Sequence, residues 1–548
     1  MAVSVCHLDK CKAKKLKGKL DMKVNFGKLL FNQVQQCGDK TALVNIERNR
    51  SYTFKELHSI TNQVCNMMKN QFDMGFGDVY VNLLENDNNS LLSHWLWKGE
   101  ATGAWLNYRD AFDEHIYQVD YVNPKIVFVE NAVLEKEHYY EAFKERNIAI
   151  IVMDKPEKEM SGVHYLWDLL ENESDAETNV EYDKDQHIVL YRFTGGTTGR
   201  GKCAMYTLRN KLGAMQQAYA YTEELFRENA KFIHVTPLSH ASSLIVLPIY
   251  FKGGTNYTIN LPDLELLCKT IQENKLTSTF VVPTLLYRLL ELGLESKYDL
   301  TSLERVFYGA SPMSPSKLED LQSKFGNIFI QGYGSTEAWP LIMVLGRKDH
   351  IIETDDDRKR LSSAGRPLPG VELSIMDEEG KEMPFGEIGE IWIRSESVIQ
   401  GYYSAPEETA FGFSEGGHWK SGDLGYMDEN GYVYIVDRKK DMIITGGFNV
   451  YAVEVENVIN SHPAVYQSVV VGIPHEKWGE TVVAEIVLKE GQKVTDVELA
   501  GFMKDKIGSY KIPKLFNFVD ELPVTTVGKV LRRFVRDKYW KETARNVH

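Results

Sequence analysis

Long apolar runs are missing from this chain of 548 residues. None approaches the ~20 residues needed to cross a bilayer. The amino terminus also lacks the apolar core of a secretory signal, so the expected location is cytoplasmic. A basic surplus is missing too: the net charge of −14 leaves nothing to neutralise a phosphate backbone, which argues against general nucleic-acid binding. Cysteine is scarce, at 6. Cys6, Cys11, Cys37, Cys65, Cys203 and Cys268 are scattered, which suits reduced thiols better than a disulfide framework. Cys6 and Cys11 lie near His7, but no second ligand pair follows at zinc spacing. Ser/Gly linkers, low-complexity tracts and internal repeats are absent as well. The lysine-rich residues 10–23 read as a solvated leader, with weak attachment to an anionic membrane as the alternative.

What is present is an ordinary globular composition, 43% hydrophobic and 26% charged, in a chain too long for one core. Strand-like apolar runs (residues 79–84, 126–129 and 279–282) alternate with helical patterns through the first four-fifths. Pro283 should end the third strand, where a ladder hydrogen bond must stop. Residues 314–325 form an amphipathic helix pattern with Pro315 in the first turn. This alternation predicts α/β layers with largely parallel sheets. A smaller α+β unit begins near Lys440: helix 453–460, strands 468–471 and 482–488, helix 497–507, then a short helix after Gly528. The expected division is residues 1–439 and 440–548.

The richest local signal is Phe193-Thr194-Gly195-Gly196-Thr197-Thr198-Gly199-Arg200-Gly201-Lys202, directly after an apolar run. Glycines let backbone approach a ligand, threonines add hydroxyl donors, and Arg and Lys add positive charge. Such a loop suits a polyphosphate. Residues 196–202 also fit Walker A spacing, but the next residue is Cys203, where a hard Mg²⁺ requires a hydroxyl oxygen.

Three later segments join it: Gln331-Gly332-Tyr333-Gly334-Ser335-Thr336-Glu337, then Ser421-Gly422-Asp423 with Asp437-Arg438-Lys439-Lys440-Asp441 running on to Gly446-Gly447, and last Pro523-Val524-Thr525-Thr526-Val527-Gly528-Lys529. In this order and spacing they closely resemble the adenylate-forming superfamily over roughly residues 25–540. The resemblance implies a large N-terminal α/β domain, a small mobile C-terminal domain, and a site between them using ATP, Mg²⁺ and coenzyme A. It implies that Thr194, Gly195, Gly196, Thr197, Thr198, Gly199 and Lys202 close over the β- and γ-phosphates. Thr336 would contact the α-phosphate and Glu337 would hold Mg²⁺. Tyr333 would stack on adenine in a slot lined by Gly309, Ala310, Ser311, Gly332 and Gly334. Asp423 and Arg438 would take the ribose. Lys529 would be the main catalytic cation, Lys440 the hinge, and Gly446 and Gly447 the passage for pantetheine. His240 would border the acyl pocket as a wall or gate, not as a base. Departures from the family pattern are Gly195, Gly201 (expected to loosen the loop), Cys203 and Ala452.

The stretch after His240, Ala241 to Leu247, contains no carboxylate to pair an amino-acid ammonium, so a neutral acyl or aryl tail is expected. Trp339 would shorten the pocket. The expected activity is an AMP-forming carboxylic acid–CoA ligase acting on a small-molecule acid. An enzyme loading a carrier protein and a nucleotide-binding protein without catalysis stay open, and a homodimer is compatible. The absence of a carrier domain after residue 548 favours free coenzyme A.

Overall fold

The structure is a computed structural model that describes residues 23–194, 201–221, 226–311, 313–338, 341–504, 506–524 and 530–540. Gly195, Gly196, Thr197, Thr198, Gly199, Trp339 and Lys529 lie outside the described residues.

Two large sheets carry the N-terminal part. The first has seven strands in the order Cys203–Thr207, Ile188–Phe193, Thr102–Trp105, Val79–Leu83, Ile126–Val129, Ala149–Val152 and Val163–Tyr165. All its pairs are parallel except the hairpin of the first two strands. Ile126–Val129 is buried at every residue, as a parallel strand covered on both faces must be. The second sheet has nine strands, with Arg305–Gly309 and Phe329–Tyr333 adjacent and parallel near one side. Its centre is parallel and both of its edges are antiparallel.

Most sequence patterns reappear with small shifts. The helix Pro315–Phe325 has Ser314 before it, proline in its first turn, and Leu318 and Leu321 fully buried. The strand foreseen at 279–282 is Ser278–Phe280, and Pro283 opens the helix Pro283–Glu291. Proline suits that first position because its missing N–H would be unpaired there anyway. The expectation of largely parallel sheets does not extend further along the chain. Val371–Met376, Gly389–Ser395, Trp419–Met427 and Val433–Arg438 form a four-stranded sheet that is wholly antiparallel.

The smaller C-terminal part is α+β. Strands Val465–His475 and Gly479–Leu488 form its central antiparallel pair, and Ile443–Thr445, Phe448–Val450 and Leu515–Phe518 extend the sheet. Helices Ala452–Asn460 and Asp496–Met503 contribute Val455, Ile459, Leu499 and Met503 to a core separate from those of the large sheets. Among the described residues no helix is long and apolar enough to cross a membrane. Cys37, Cys65, Cys203 and Cys268 are buried and form no disulfide among the described residues.

Arg48 ties the two large sheets together. It sits in the turn between strands Thr41–Asn45 and Arg50–Thr53 of the second sheet. Its guanidinium reaches Glu85 at 3.0 Å, Glu130 at 2.9 Å and Asp154 at 2.9 Å. Those acids follow three neighbouring strands of the first sheet. Burial lifts the Glu130 carboxyl from 4.5 to about 7 despite the Arg48 charge. The folded chain therefore keeps this proton where the unfolded chain has lost it. Its stabilising contribution is complete below about pH 4.5 and disappears as pH rises through about 7. Arg48→Met should lower stability by about 3–5 kcal/mol, because it strands buried carboxylates. The loss in urea midpoint should be larger at pH 8 than at pH 5. Equal losses at the two pH values would contradict this account.

Candidate active site

Gly309 and Gly332 face each other across neighbouring parallel strands. A Cβ on Gly309 would lie 2.2 Å from the Gly332 carbonyl oxygen, and one on Gly332 would lie 2.4 Å from Leu341 Cδ2. The first contact is with backbone and shuts out a side chain at Gly309, whereas the Leu341 tip at Gly332 can swing aside. The carboxyl ends of such parallel strands are the usual ligand location on an open α/β sheet. Ala310 follows with φ 65°, a left-handed conformation that costs a non-glycine residue about 1 kcal/mol or more. Ser311 continues this turn, and Gly334 continues from the end of the second strand.

Tyr333 closes the strand Phe329–Tyr333, and its hydroxyl donates to Asp423 Oδ2 at 2.5 Å. Asp423 Oδ1 lies 3.5 Å from Arg438 Nε. Asp423 and Arg438 are direct partners across the antiparallel strands Trp419–Met427 and Val433–Arg438. Burial, then the Asp423 charge, holds the Tyr333 phenol well above its ordinary range. The phenol therefore stays protonated and remains a donor. Gly309, Ala310, Ser311, Gly332, Tyr333, Gly334, Asp423 and Arg438 thus belong to one neighbourhood.

A second cluster surrounds Thr336 and Glu337. The Ser335 hydroxyl accepts from the Glu337 and Ala338 N–H groups at 3.1 and 3.2 Å, which fixes the turn. Tyr402 Oη donates to Glu337 Oε1 at 2.9 Å, and the Tyr206 hydroxyl donates to the Thr336 carbonyl. Lys202 Nζ lies 4.5 Å from the centre of the Tyr402 ring, a cation–π contact. The base of the 195–200 loop is closed by Thr194 N–H donating to the Lys202 carbonyl at 2.8 Å and Lys202 N–H donating to Thr194 Oγ1 at 3.1 Å. A Cβ on Gly201 would lie 2.3 Å from the Thr194 carbonyl oxygen, so the base is closely packed at that residue. Cys203 is fully buried and burial pushes its thiol up, so it offers no metal-facing ligand.

Tyr402, Tyr206 and Arg192 were not singled out from the sequence. A signal existed for Arg192, a lone cation in the apolar strand Ile188–Phe193. It is 6% exposed, hydrogen-bonded to Tyr206, and brought down to about 10 by burial. Tyr402 and Tyr206 carried no signal, because aromatic residues at such places usually just fill the core. His240 stands beside these groups electrostatically. Burial, then Arg192 and Arg109, brings its imidazole down to about 3.

The linker from the antiparallel sheet to the C-terminal part is held at several points. Lys439 N–H donates to the Gly422 carbonyl at 2.8 Å, and Lys439 Nζ lies 3.5 Å from Glu390. Lys440 follows; burial, then Arg438, lowers its amine below the usual range. Arg532 opens the last described helix, Arg532–Trp540, and lies 3.6 Å from both Asp437 and Asp441 and 2.7 Å from Glu456. Burial lowers the Arg532 affinity for its proton, but the three carboxylates outweigh it. Gly446 and Gly447, with φ 58° and 83°, form the two-residue hairpin between Ile443–Thr445 and Phe448–Val450. Such a turn needs left-handed backbone at both central positions, a requirement independent of any ligand.

A family model described as AMP-binding enzyme matches residues 30–403, and its companion for the C-terminal domain of these enzymes matches residues 454–529. The chain belongs to the AMP-binding enzymes, the adenylate-forming superfamily. It is similar to the medium/long-chain-fatty-acid–CoA ligase FadD8 of Mycobacterium tuberculosis, 40% identical over 66% of this chain and 63% of that protein. It is also similar to the fatty acid–[acyl-carrier-protein] ligase ScoC of Streptomyces coeruleorubidus, 38% identical over 51% of this chain and 53% of that protein. These matched stretches therefore span less than two thirds of either relative. The ATP-bound crystal structure of MatB from Rhodopseudomonas palustris superimposes with a TM-score of 0.83 at 26% identity, covering 95% of this chain and 100% of that one. The two-part architecture, a large N-terminal α/β domain and a smaller C-terminal domain, is that of such neighbours.

Held down to about 3, the His240 imidazole should stay neutral from pH 5 to 8. The histidine resonance lost in His240→Asn should show no titration across that range. A midpoint near the ordinary 6.5 would refute the burial argument.

Proposed function

We propose that this protein is an ATP-dependent, AMP-forming carboxylic acid–CoA ligase. The reading rests on one arrangement in a member of this family: a slot ending in Tyr333, Asp423 and Arg438, next to Lys202, Thr336 and Glu337. The slot takes adenine against Tyr333, with the ribose hydroxyls on the Asp423 carboxylate and Arg438 as a second contact. Lys202 and the Thr194–Lys202 loop base then lie toward the phosphates.

The carboxylate oxygen of the acid attacks the α-phosphorus, the bond to the β-phosphate oxygen breaks, and pyrophosphate leaves. Two anions must meet, so neutralisation is the chief physical problem. Thr336 steadies the α-phosphate, and Lys529 is assigned to bridge the acid and that phosphate. In the second step the thiol sulfur of coenzyme A attacks the acyl carbon and AMP departs. Lys440 is the assigned hinge between these steps, and the Gly446–Gly447 turn is the assigned passage for the pantetheine arm. Arg532, tied to Asp437 and Asp441 on both sides of Lys440, supports coupling between the hinge and the segment that carries Lys529.

No group of three or more potential metal ligands occurs among the described residues. Mg²⁺ usually keeps several waters and takes only one or two protein carboxylates beside substrate phosphates. Glu337 is the carboxylate suited to hold it, and the bound ion would neutralise phosphate charge. A carrier protein as the acyl acceptor is the second reading, favoured by the similarity to ScoC. The four buried thiols support a cytoplasmic location.

Pyrophosphate release with a panel of carboxylic acids, followed by acyl-CoA formation with coenzyme A alone, tests the proposal. Lys529→Ala should lower ATP–pyrophosphate exchange by ~10²-fold or more, as loss of one preorganised donor does. Unchanged exchange would remove Lys529 from the mechanism. Gly447→Val should lower thioester formation more than pyrophosphate exchange, because a β-branched side chain is strained at φ 83° and would crowd the passage. Equal losses in both half-reactions would separate that turn from coenzyme A.

A further inference from the structure

Segments far apart in the chain converge on Tyr402. Strand Cys203–Thr207 meets its backbone: Ala204 forms a bridge with Tyr402, the Tyr403 N–H donates to the Cys203 carbonyl at 2.8 Å, and the Met205 N–H donates to the Gly401 carbonyl at 3.1 Å. The Tyr402 N–H donates to Thr409 Oγ1 at 2.9 Å, and the Phe413 ring packs edge-on against the Tyr402 ring. Tyr402 is 4% exposed. Its ring is therefore anchored from the backbone outward.

The hydroxyl has a set direction as well. Trp419 opens the strand that carries Asp423, and its side chain hydrogen-bonds to the Tyr402 oxygen. An indole nitrogen can only donate, so that bond occupies a lone pair and leaves the phenolic hydrogen for Glu337 Oε1 at 2.9 Å. Burial, then the Glu337 charge, holds the phenol well above its ordinary range, so the hydrogen stays in place.

One side chain thus serves two opposite charges. Lys202, exposed at the end of the glycine-threonine loop, lies over the electron-rich ring face, while half-buried Glu337 takes the hydrogen at the phenol tip. No ion pair joins Lys202 to Glu337 among the described residues. Opposite charges gathered around one ring attract, and a direct pair would engage both groups before a phosphate or a cation arrived. Held by the tyrosine instead, Glu337 keeps its second oxygen for a cation, and Lys202 keeps N–H donors for phosphate.

We infer that Tyr402 is a positioning residue that keeps Lys202 and Glu337 apart, its hydroxyl orienting the carboxylate for a divalent cation and its ring face holding the ammonium for phosphate. The inference rests on the ligase reading above, in which these two groups meet Mg²⁺ and the phosphates of ATP.

The test is the equilibrium dissociation constant of the full chain for α,β-methylene-ATP, which binds without releasing pyrophosphate, measured in Mg²⁺ and again in EDTA. The ratio of the two values is the gain in affinity that the metal brings. Tyr402→Phe keeps the ring and removes the hydroxyl. It should leave binding in EDTA unchanged and cut the metal gain by about tenfold or more, the usual cost of losing a hydrogen bond to a metal-binding side chain. Tyr402→Leu removes the ring face too and should also weaken binding in EDTA, because Lys202 is then free to pair with Glu337. A wild-type metal gain in Tyr402→Phe overturns the inference. So does an equal loss in Mg²⁺ and in EDTA, which a purely packing role would give. Unchanged binding in EDTA by Tyr402→Leu, with native circular dichroism, overturns the part assigned to the ring. Tyr402→Phe preserves the packing against Phe413 and decides the part of the hydroxyl whether or not the leucine variant folds. A wild-type chain that binds no nucleotide in either condition overturns the ligase reading itself.

Discussion

The candidate site depends on a close approach of two backbones. Gly309 and Gly332 sit opposite each other on parallel strands, and the Gly332 carbonyl leaves no room for a methyl group on Gly309. The strand that carries Gly332 ends at Tyr333, whose hydroxyl reaches Asp423 on the antiparallel sheet that also carries Arg438. The unfavourable backbone at Ala310 is tolerated beside this contact, where the packed strands leave few alternatives. Main chain thus meets main chain at Gly309, with Tyr333, Asp423 and Arg438 joined close by.

Buried charge organises the rest. Arg48 gathers acids from three strand ends of one sheet while standing on the other, so the two large layers meet through an ionic joint. Arg532 does the same between the last described helix and the linker on either side of Lys440. Such networks do little for stability against an apolar alternative, but losing one member is costly. Their geometric effect is to set elements in register. In the second case the elements are those assigned to move in the proposed reaction.

A small pocket lined by His94, Trp97 and Lys211 shows how packing gathers polar groups that no local pattern connects. Lys211 lies in a segment of ordinary helical character, and Trp97 and His94 lie far earlier in the chain, in the short helix His94–Lys98. No spacing rule connects them. Packing puts a buried amine, an indole N–H and an imidazole on one wall beside Leu341 and the turn after His240.

Much was legible in the linear chain. The glycine-threonine segment, Tyr333-Gly334-Ser335-Thr336-Glu337, Asp423 and Arg438 stand out as local patterns, and the structure brings Tyr333, Asp423 and Arg438 into contact. Strand and helix positions were legible for the same local reason, through apolar periodicity and the placement of Pro315. Other features were decided only by tertiary structure. Tyr402 meets Glu337, Arg192 meets Tyr206, and Arg48 joins two sheets through contacts between residues widely separated in sequence. The antiparallel character of the third sheet belongs with them, since pairing direction follows from how distant strands are brought together. Sequence by itself determined where glycines free the backbone, a matter of local sterics. The fold decided which buried side chains surround that backbone, because burial and partnership are properties of distance in space.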